Sequence, residues 1–395
     1  MRIADVLGRR SAPVPQAARV GRNRWRDLES APPTDGAARL THTTIEVSQS
    51  KLADAIAAAS RSDHEVLILA DPELPPGGGL IDRLLSWLHE CDYAVSVATS
   101  DEAGGADWLA HYQRESEHLN RAGFEAWRGA AAGTLAVSRQ LFEAAGGFNP
   151  TMGSAWQLEL AYRLAQQGAL FVADEEATEA RRTAVEPSPD LVDVVPLLPE
   201  RRSDWRRTHA VPLVHVVIDA LTAPVATQVT LDGVLDGEYR DVAVTVVGAS
   251  ASTASGGSDS RVEFADEVPA SSPIPFRLEL PAGCVLQPVS VRRLLNRTRQ
   301  SQLGLYQVLV EPHGDAEPTF AIRMLRTAAL ERSRRLSGGD VDDTIDELFG
   351  STWVDGRRFG IRHYADAADV LDGPEDADDA EGGVVSVEPD DEDED

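Results

Sequence analysis

The chain has 395 residues, 42% of them hydrophobic, and a formal charge of −28 from 37 basic and 65 acidic side chains. That length predicts two domains or three with cores of ordinary size, and so acidic a balance excludes sequence-independent binding to nucleic acid or to an anionic membrane surface. Two cysteines, Cys91 and Cys284, are too few for a disulfide framework or a thiolate zinc site.

Residues 1–40 hold four prolines and no sustained periodicity, which predicts an irregular arm with one short helix at most. From Thr43 the texture becomes a β-α-β alternation: TTIEV, then KLADAIAAAS, then the apolar run EVLILA ending at Asp71. Leu80, Ile81, Leu84, Leu85 and Leu88 recur at helical spacing, and YAVSVAT follows as a strand. A helical stretch is expected over Trp108 to Arg121. In GTLAVSRQLFEAAGGF, Ser138 can cap a short helix and Gly146 can end it in the left-handed conformation. The amphipathic SAWQLELAYRLAQQG ends at Gly168 and leads into the strand ALFVAD.

A first unit over 41–185 is expected to be followed by a Pro- and acid-rich linker, 186–209. A second α/β unit over 210–345 begins at VPLVHVVIDAL and runs through DVAVTVVGA, RVEFAD, PFRLELPAG and LGLYQVLVEP to FAIRMLRTAALERSRRL. The stretch 346–365 is read as a docking segment, either a final strand or hairpin or a partner-binding piece. Residues 366–395 carry 15 acids and no basic residue and are expected to be a disordered acidic tail, a possible contact for a protein partner. No apolar run approaches the roughly 20 residues a bilayer span needs, and MRIADVLGRRSAP lacks the apolar stretch of a signal peptide, so a cytoplasmic location is expected.

Asp71 and Glu73 flank Pro72 at the carboxyl end of a buried strand, the place where α/β folds bind ligands. Two carboxylates at i and i+2 on a tight turn can face one divalent cation; the other reading is a polar turn made by the prolines and glycines that follow. Glu159 is either a base on the amphipathic helix or the i,i+4 partner of Arg163. Trp156 is either a sugar-stacking platform or core. Walker, Gly-x-Gly-x-x-Gly and Gly-x-Ser-x-Gly signatures are absent, and His42, His64, His89, His111 and His118 show no metal-ligand pair at helical spacing.

Three motifs in order resemble those of family 2 glycosyltransferases of the GT-A fold. Asp71-Pro72-Glu73 with Pro75, Pro76 and Gly77 resembles the family's Asp-x-Asp strand end; Gly146-Gly147-Phe148-Asn149 resembles Gly-Gly-Phe-Asp; Trp156-Gln157-Leu158-Glu159-Leu160 with Arg163-Leu164 resembles Glu-Asp-x-Glu-Leu with its Arg-Leu. The resemblance covers about residues 42–180. It implies a GT-A-like, Rossmann-type α/β fold with mainly parallel sheets flanked by helices, a divalent cation (Mn or Mg) on Asp71 and Glu73, and a loop ending at Gly133 that lines the acceptor or sugar pocket. It also implies transfer from a nucleotide sugar to a glycan or other hydroxyl acceptor in cell-envelope or exopolysaccharide synthesis.

Two departures accompany it. The family's general-base aspartate is replaced by Gln157, whose amide can hold a hydroxyl but cannot take its proton, and residues 1–40 offer no counterpart of the nucleotide-base half. That opening unit reappears out of order from Val211, with Asp219 after its first strand and Leu280-Pro281-Ala282 where carboxylates are expected. The alternative expectation is therefore a catalytically inactive, glycosyltransferase-like scaffold or binding protein that partners an active enzyme.

Overall fold

The computed structural model describes residues 40–48, 52–71, 76–100, 124–131, 133–152, 155–179, 206–209, 211–220, 224–248, 259–268, 273–310, 320–336 and 340–363. The expectations for Glu73, for the Trp108–Arg121 helix, for most of the arm and linker, and for the acidic tail lie outside these residues.

The chain is α/β, with mainly parallel sheets flanked by helices. The first sheet comprises β1 (His42–Glu46), β2 (Val66–Ala70), β3 (Ala94–Ser100), β4 (Leu135–Ser138) and β5 (Leu170–Glu179), in the order β1-β2-β4-β3-β5. Helix α1 (Leu52–Arg61) carries the crossover from β1 to β2, and α2 (Gly78–Glu90) that from β2 to β3. All five residues of β2 are buried, because helices cover both faces of a central strand. β4 alone runs antiparallel, between β2 and β3.

β4 passes directly into α3 (Arg139–Ala144), where the Ser138 hydroxyl accepts the Leu141 N–H at 3.2 Å. Gly146 and Gly147, at φ +83° and +68°, then turn the chain toward α4 (Trp156–Gln166).

The second sheet has seven strands: β6 (Val214–Asp219), β7 (Val242–Val247), β8 (Val262–Ala265), β9 (Phe276–Pro281), β11 (Leu305–Val310), β12 (Phe320–Arg326) and β13 (Ser351–Asp355). Their order is β13-β11-β12-β9-β6-β7-β8. The associated helices are α5 (Pro224–Leu235), α6 (Ser290–Arg299), α7 (Thr327–Leu336) and α8 (Val341–Phe349), and β10 (Cys284–Leu286) pairs separately with β14 (Ile361–His363). Residues 346–363 thus enter the second unit as the end of α8, the edge strand β13, the turn Gly356–Phe359 and the strand β14.

The two sheets share a wiring. The run β6-β9-β12-β11-β13 repeats β1-β2-β4-β3-β5 with the same orientations, including one antiparallel strand that passes straight into a helix. Between its first strand and the strand equivalent to β2 the second unit holds α5, β7 and β8, where the first unit holds α1.

One face of the second sheet is apolar, built from Val214, Val216, Ile218, Leu278, Leu280, Tyr306 and Val308 against Leu294 and Leu295 of α6. The opposite face carries buried charge. Glu279, 2% exposed, forms an ion pair with Arg277 at 2.8 Å and accepts from Arg323 at 2.7 Å, and Arg323 also reaches Asp342 of α8. Burial pushes the Glu279 carboxyl up, yet the guanidiniums of Arg323 and Arg277 pull harder and hold it below the usual carboxylate range.

His215, beside Arg277 in the strand register and 2.8 Å from the Thr245 hydroxyl, is pushed down to about 4, by burial first and by the charge of Arg277 second. The unfolded chain, with a histidine pKa of about 6.5, therefore binds more protons than the native one between those values. The His215 contribution is complete above pH about 6.5 and is lost as pH falls toward 4, by up to about 3 kcal/mol. Urea titrations across that range should show His215→Gln losing less stability than the parent; equal slopes would assign the dependence to other groups.

The units are joined through α7. Arg332, buried, donates from Nε to the Gly168 carbonyl at 3.3 Å and from Nη2 to that of Ala169, while Arg335 Nε donates to the Gln167 carbonyl at 3.0 Å. The arginines thereby satisfy the carbonyls of the turn that follows α4, favourably placed at the negative end of the helix dipole. Phe124 stacks on Phe349 at 5.1 Å beside this seam, with the Arg326 guanidinium 4.5 Å from the Phe124 ring.

Candidate functional site

Parallel strands β1, β2, β3 and β5 direct their carboxyl ends to one edge of the first sheet, and the antiparallel β4 begins at that edge. The β2–β4 register pairs Leu69 with Leu135, so continuing it by two residues places Asp71 opposite Gly133. Asp71 is half-buried, and Gly133 adopts φ +110°, a conformation that favours glycine. Strand β2 ends there because Pro72 cannot donate to a ladder and the proline-glycine run that follows suits a turn.

Gln157, in the first turn of α4, is buried, and its Nε2 donates to the Gly133 carbonyl at 2.7 Å. It clamps α4 onto the loop before β4, so Asp71, Gly133 and Gln157 form one cluster at the carboxyl edge.

Glu159 lies elsewhere. Its two oxygens accept from Arg163 Nε and Nη2, each at 2.7 Å, and Oε1 is 3.5 Å from Asn149 Nδ2. Arg163 also donates from Nη1 to the Ala145 carbonyl at the end of α3. This bidentate, partly buried pair ties α4 to the Gly146-Gly147-Phe148-Asn149 turn. Trp156 is 6% exposed and meets Phe148 edge-on at 5.5 Å, and Phe148 meets Phe142 at 5.0 Å. The sequence motifs around Gly146 and Trp156 are therefore in contact through Glu159, Arg163, Trp156 and Phe148, and the structure brings Gln157, not Glu159, beside Gly133.

Asp71 suits a cation carried by a ligand. Magnesium-type ions are held by one or two carboxylates together with phosphate oxygens and water, so a half-exposed carboxylate at a strand end is a fitting donor. Among the described residues, no group of three or more His, Cys, Asp or Glu side chains is placed to hold a metal.

In the second unit the register puts Pro281 at the position equivalent to Asp71, because Phe276 pairs with Arg326 just before α7 as Val66 pairs with Ser138 just before α3; the next residue, Ala282, donates its N–H to the Asp219 carbonyl at 3.1 Å. Asp219, at the end of β6, is itself buried. A feature the sequence did not disclose is the Arg332–Gly168 seam: Gly168 is legible as a helix end, but its partner lies 164 residues away.

Fold and site define a two-unit α/β protein whose first sheet gathers Asp71, Gly133 and Gln157 at its carboxyl edge. No family model and no curated protein matches the sequence. Among solved structures the chain is similar to glucosyl-3-phosphoglycerate synthase from Mycobacterium tuberculosis in complex with Mg2+ and uridine diphosphate, at 16% identity and a TM-score of 0.28, over 40% of this chain and 74% of that one. It is also similar to a mannosyltransferase from Pyrobaculum calidifontis in complex with GDP-mannose and Mn2+, at 10% identity and 0.26, over 42% of this chain and 62% of that one. A third is S. aureus TarS in complex with UDP-GlcNAc, at 9% identity and 0.27, over 36% and 55%. The chain thus spans less than two thirds of the length of the last two. Among the described residues no helix is long and apolar enough to cross a membrane.

Proposed function

We propose that the first unit binds a nucleotide sugar at the carboxyl edge of β2 and that the chain is glycosyltransferase-like, acting on a glycan or other hydroxyl acceptor in cell-envelope or exopolysaccharide synthesis. The observation that carries this reading is the placement of Asp71 opposite Gly133 at the edge where α/β sheets take ligands. Asp71, with Glu73 two residues on, would hold a divalent cation on the donor diphosphate, and the ion would supply charge neutralisation to the departing diphosphate. The Gly133 loop, fixed by Gln157, would line the sugar side.

Isothermal titration with UDP-, GDP- and TDP-sugars, with and without manganese, tests this directly. Metal-dependent binding of at least one of them is expected, weakened about tenfold or more by Asp71→Ala, which is about 1.4 kcal/mol. Absence of binding to all three series in both conditions would overturn it.

The bonds of Gln157 and Glu159 favour a second reading, a catalytically silent partner of an active enzyme. The amide of Gln157 has no basic site and is spent on Gly133, and the Glu159 carboxylate is spent on Arg163. Binding without turnover of any bound donor would select this reading; release of free nucleotide diphosphate in the presence of acceptor would select the first.

A further inference from the structure

Residues 1–365 carry −28 + 15 = −13 of the net charge, and residues 366–395 carry the other −15. Against that acidic background one surface of the second unit has the opposite sign. Helix α6 exposes Arg293 and Arg297, the 3-10 turn Gly356–Phe359 exposes Arg358, and β14 exposes Arg362 between the buried Ile361 and His363. The three segments adjoin. The Ser290 hydroxyl at the start of α6 donates to the Gly360 carbonyl at 3.0 Å, the Gln287 N–H donates to the same carbonyl at 3.0 Å, and Val285 of β10 faces Arg362 across the ladder. The neighbouring acids are already engaged: Asp355 accepts the Arg357 N–H at 2.9 Å, and Glu238 pairs with Arg292 at 3.2 Å. Among the described residues no acid pairs with Arg293, Arg297, Arg358 or Arg362.

We propose that this arginine surface is the docking site of the chain's own acidic segment, residues 366–395. Charge supplies the first argument: four exposed guanidiniums with no carboxylate partner among the described residues are complementary to a segment of 15 carboxylates that has no basic residue with which to pair internally. Position supplies the second. The described chain runs to His363 on β14, one residue past Arg362, so the acidic segment leaves from within the surface it would cover. The remaining 32 residues can extend about 100 Å, against a length of about 15 Å for ten-residue α6. Tethering at so short a distance makes the local concentration of carboxylates about millimolar, which favours this occupant over any free polyanion.

The test uses the full chain carrying Asn296→Cys on the exposed side of α6 and Asp395→Cys at its last residue, with a donor and acceptor dye on the pair. Cys91 and Cys284 are buried at 1% and 0% exposure, so the introduced thiols take the label. Transfer efficiency is followed from about 20 mM to about 1 M salt, over which the screening length falls to about 3 Å. The two states respond with opposite signs. A docked segment lengthens its distance to α6 as salt releases it, whereas a free polyanion shortens that distance as its self-repulsion is screened. The unmodified surface is expected to lengthen, and a chain also carrying Arg293→Glu, Arg297→Glu, Arg358→Glu and Arg362→Glu to start long and shorten. Shortening in both chains would overturn the proposal, and so would equal low-salt efficiency in both. A signal that vanishes on dilution with excess unlabelled chain would place the segment on another molecule and overturn it as well.

Discussion

Glu279→Ala is expected to be the most damaging single substitution in the second unit, lowering stability by about 3–5 kcal/mol. The carboxylate is 2% exposed and bonded to two guanidiniums that are themselves buried, so its removal strands Arg277 and Arg323 in a medium that does not solvate them. Asp342 would still reach Arg323, but among the described residues no other acid is paired with Arg277 once Glu279 is gone. The cost comes from the ions left behind. Replacing Arg277, Glu279 and Arg323 together by Met, Leu and Met should therefore recover much of the loss, since apolar groups of similar volume need no partner. Urea midpoints of the three chains measure this. A loss below about 1 kcal/mol for Glu279→Ala would mean that the pairs behave as solvated surface ion pairs.

Gly168→Ala is expected to cost about 2–5 kcal/mol and to separate the melting of the two units. Two effects add: the residue sits at φ +80°, where a side chain costs roughly 1–2 kcal/mol, and a Cβ there would lie 2.5 Å from the backbone nitrogen of Arg332. Backbone cannot swing aside as a side-chain tip can, so α7 must retreat, at a further cost of about 1–3 kcal/mol. As α7 retreats, Arg332 and Arg335 release the carbonyls of residues 167–169, and the units lose the hydrogen bonds that join them. Calorimetry should show one transition in the parent and two in the variant. A single transition within a degree or two of the parent would mean that the seam tolerates a methyl group and does not couple the units.

Much of the fold was legible because its signals are local. EVLILA is a short apolar run between polar residues, α2 repeats leucine at helical spacing, and Ser138, Gly146 and Gly168 mark helix ends by properties of single residues. Pairing is not local. Nothing within LAVS says that β4 runs antiparallel between β2 and β3, and the stretch with STWVD, open to reading as a final strand, a hairpin or a partner-binding piece, does not say that it pairs in parallel with β11.

The site was legible in its parts. The family resemblance pointed to Gln157, and the i,i+4 rule allowed Glu159 and Arg163 to pair, as they do at 2.7 Å. Neither could say that Gln157 faces Gly133 or that Trp156 is enclosed against Phe148, because those neighbours are set by how α4 lies on the sheet. The face of buried charge escaped for the same reason: FRLEL shows an alternating strand, and only the register of β9 against β12 brings Arg323 onto Glu279.

The Arg332–Gly168 bond also sets an order on how the protein is made. Its partners are 164 residues apart in the chain, which at about 5–20 residues per second is roughly 8–30 s of translation. For that interval the first unit exists on the ribosome with the turn after α4 unsealed, the carbonyls of residues 167–169 without their arginine donors. Completion of the amino-terminal half's hydrogen bonding therefore depends on synthesis of the carboxyl-terminal half.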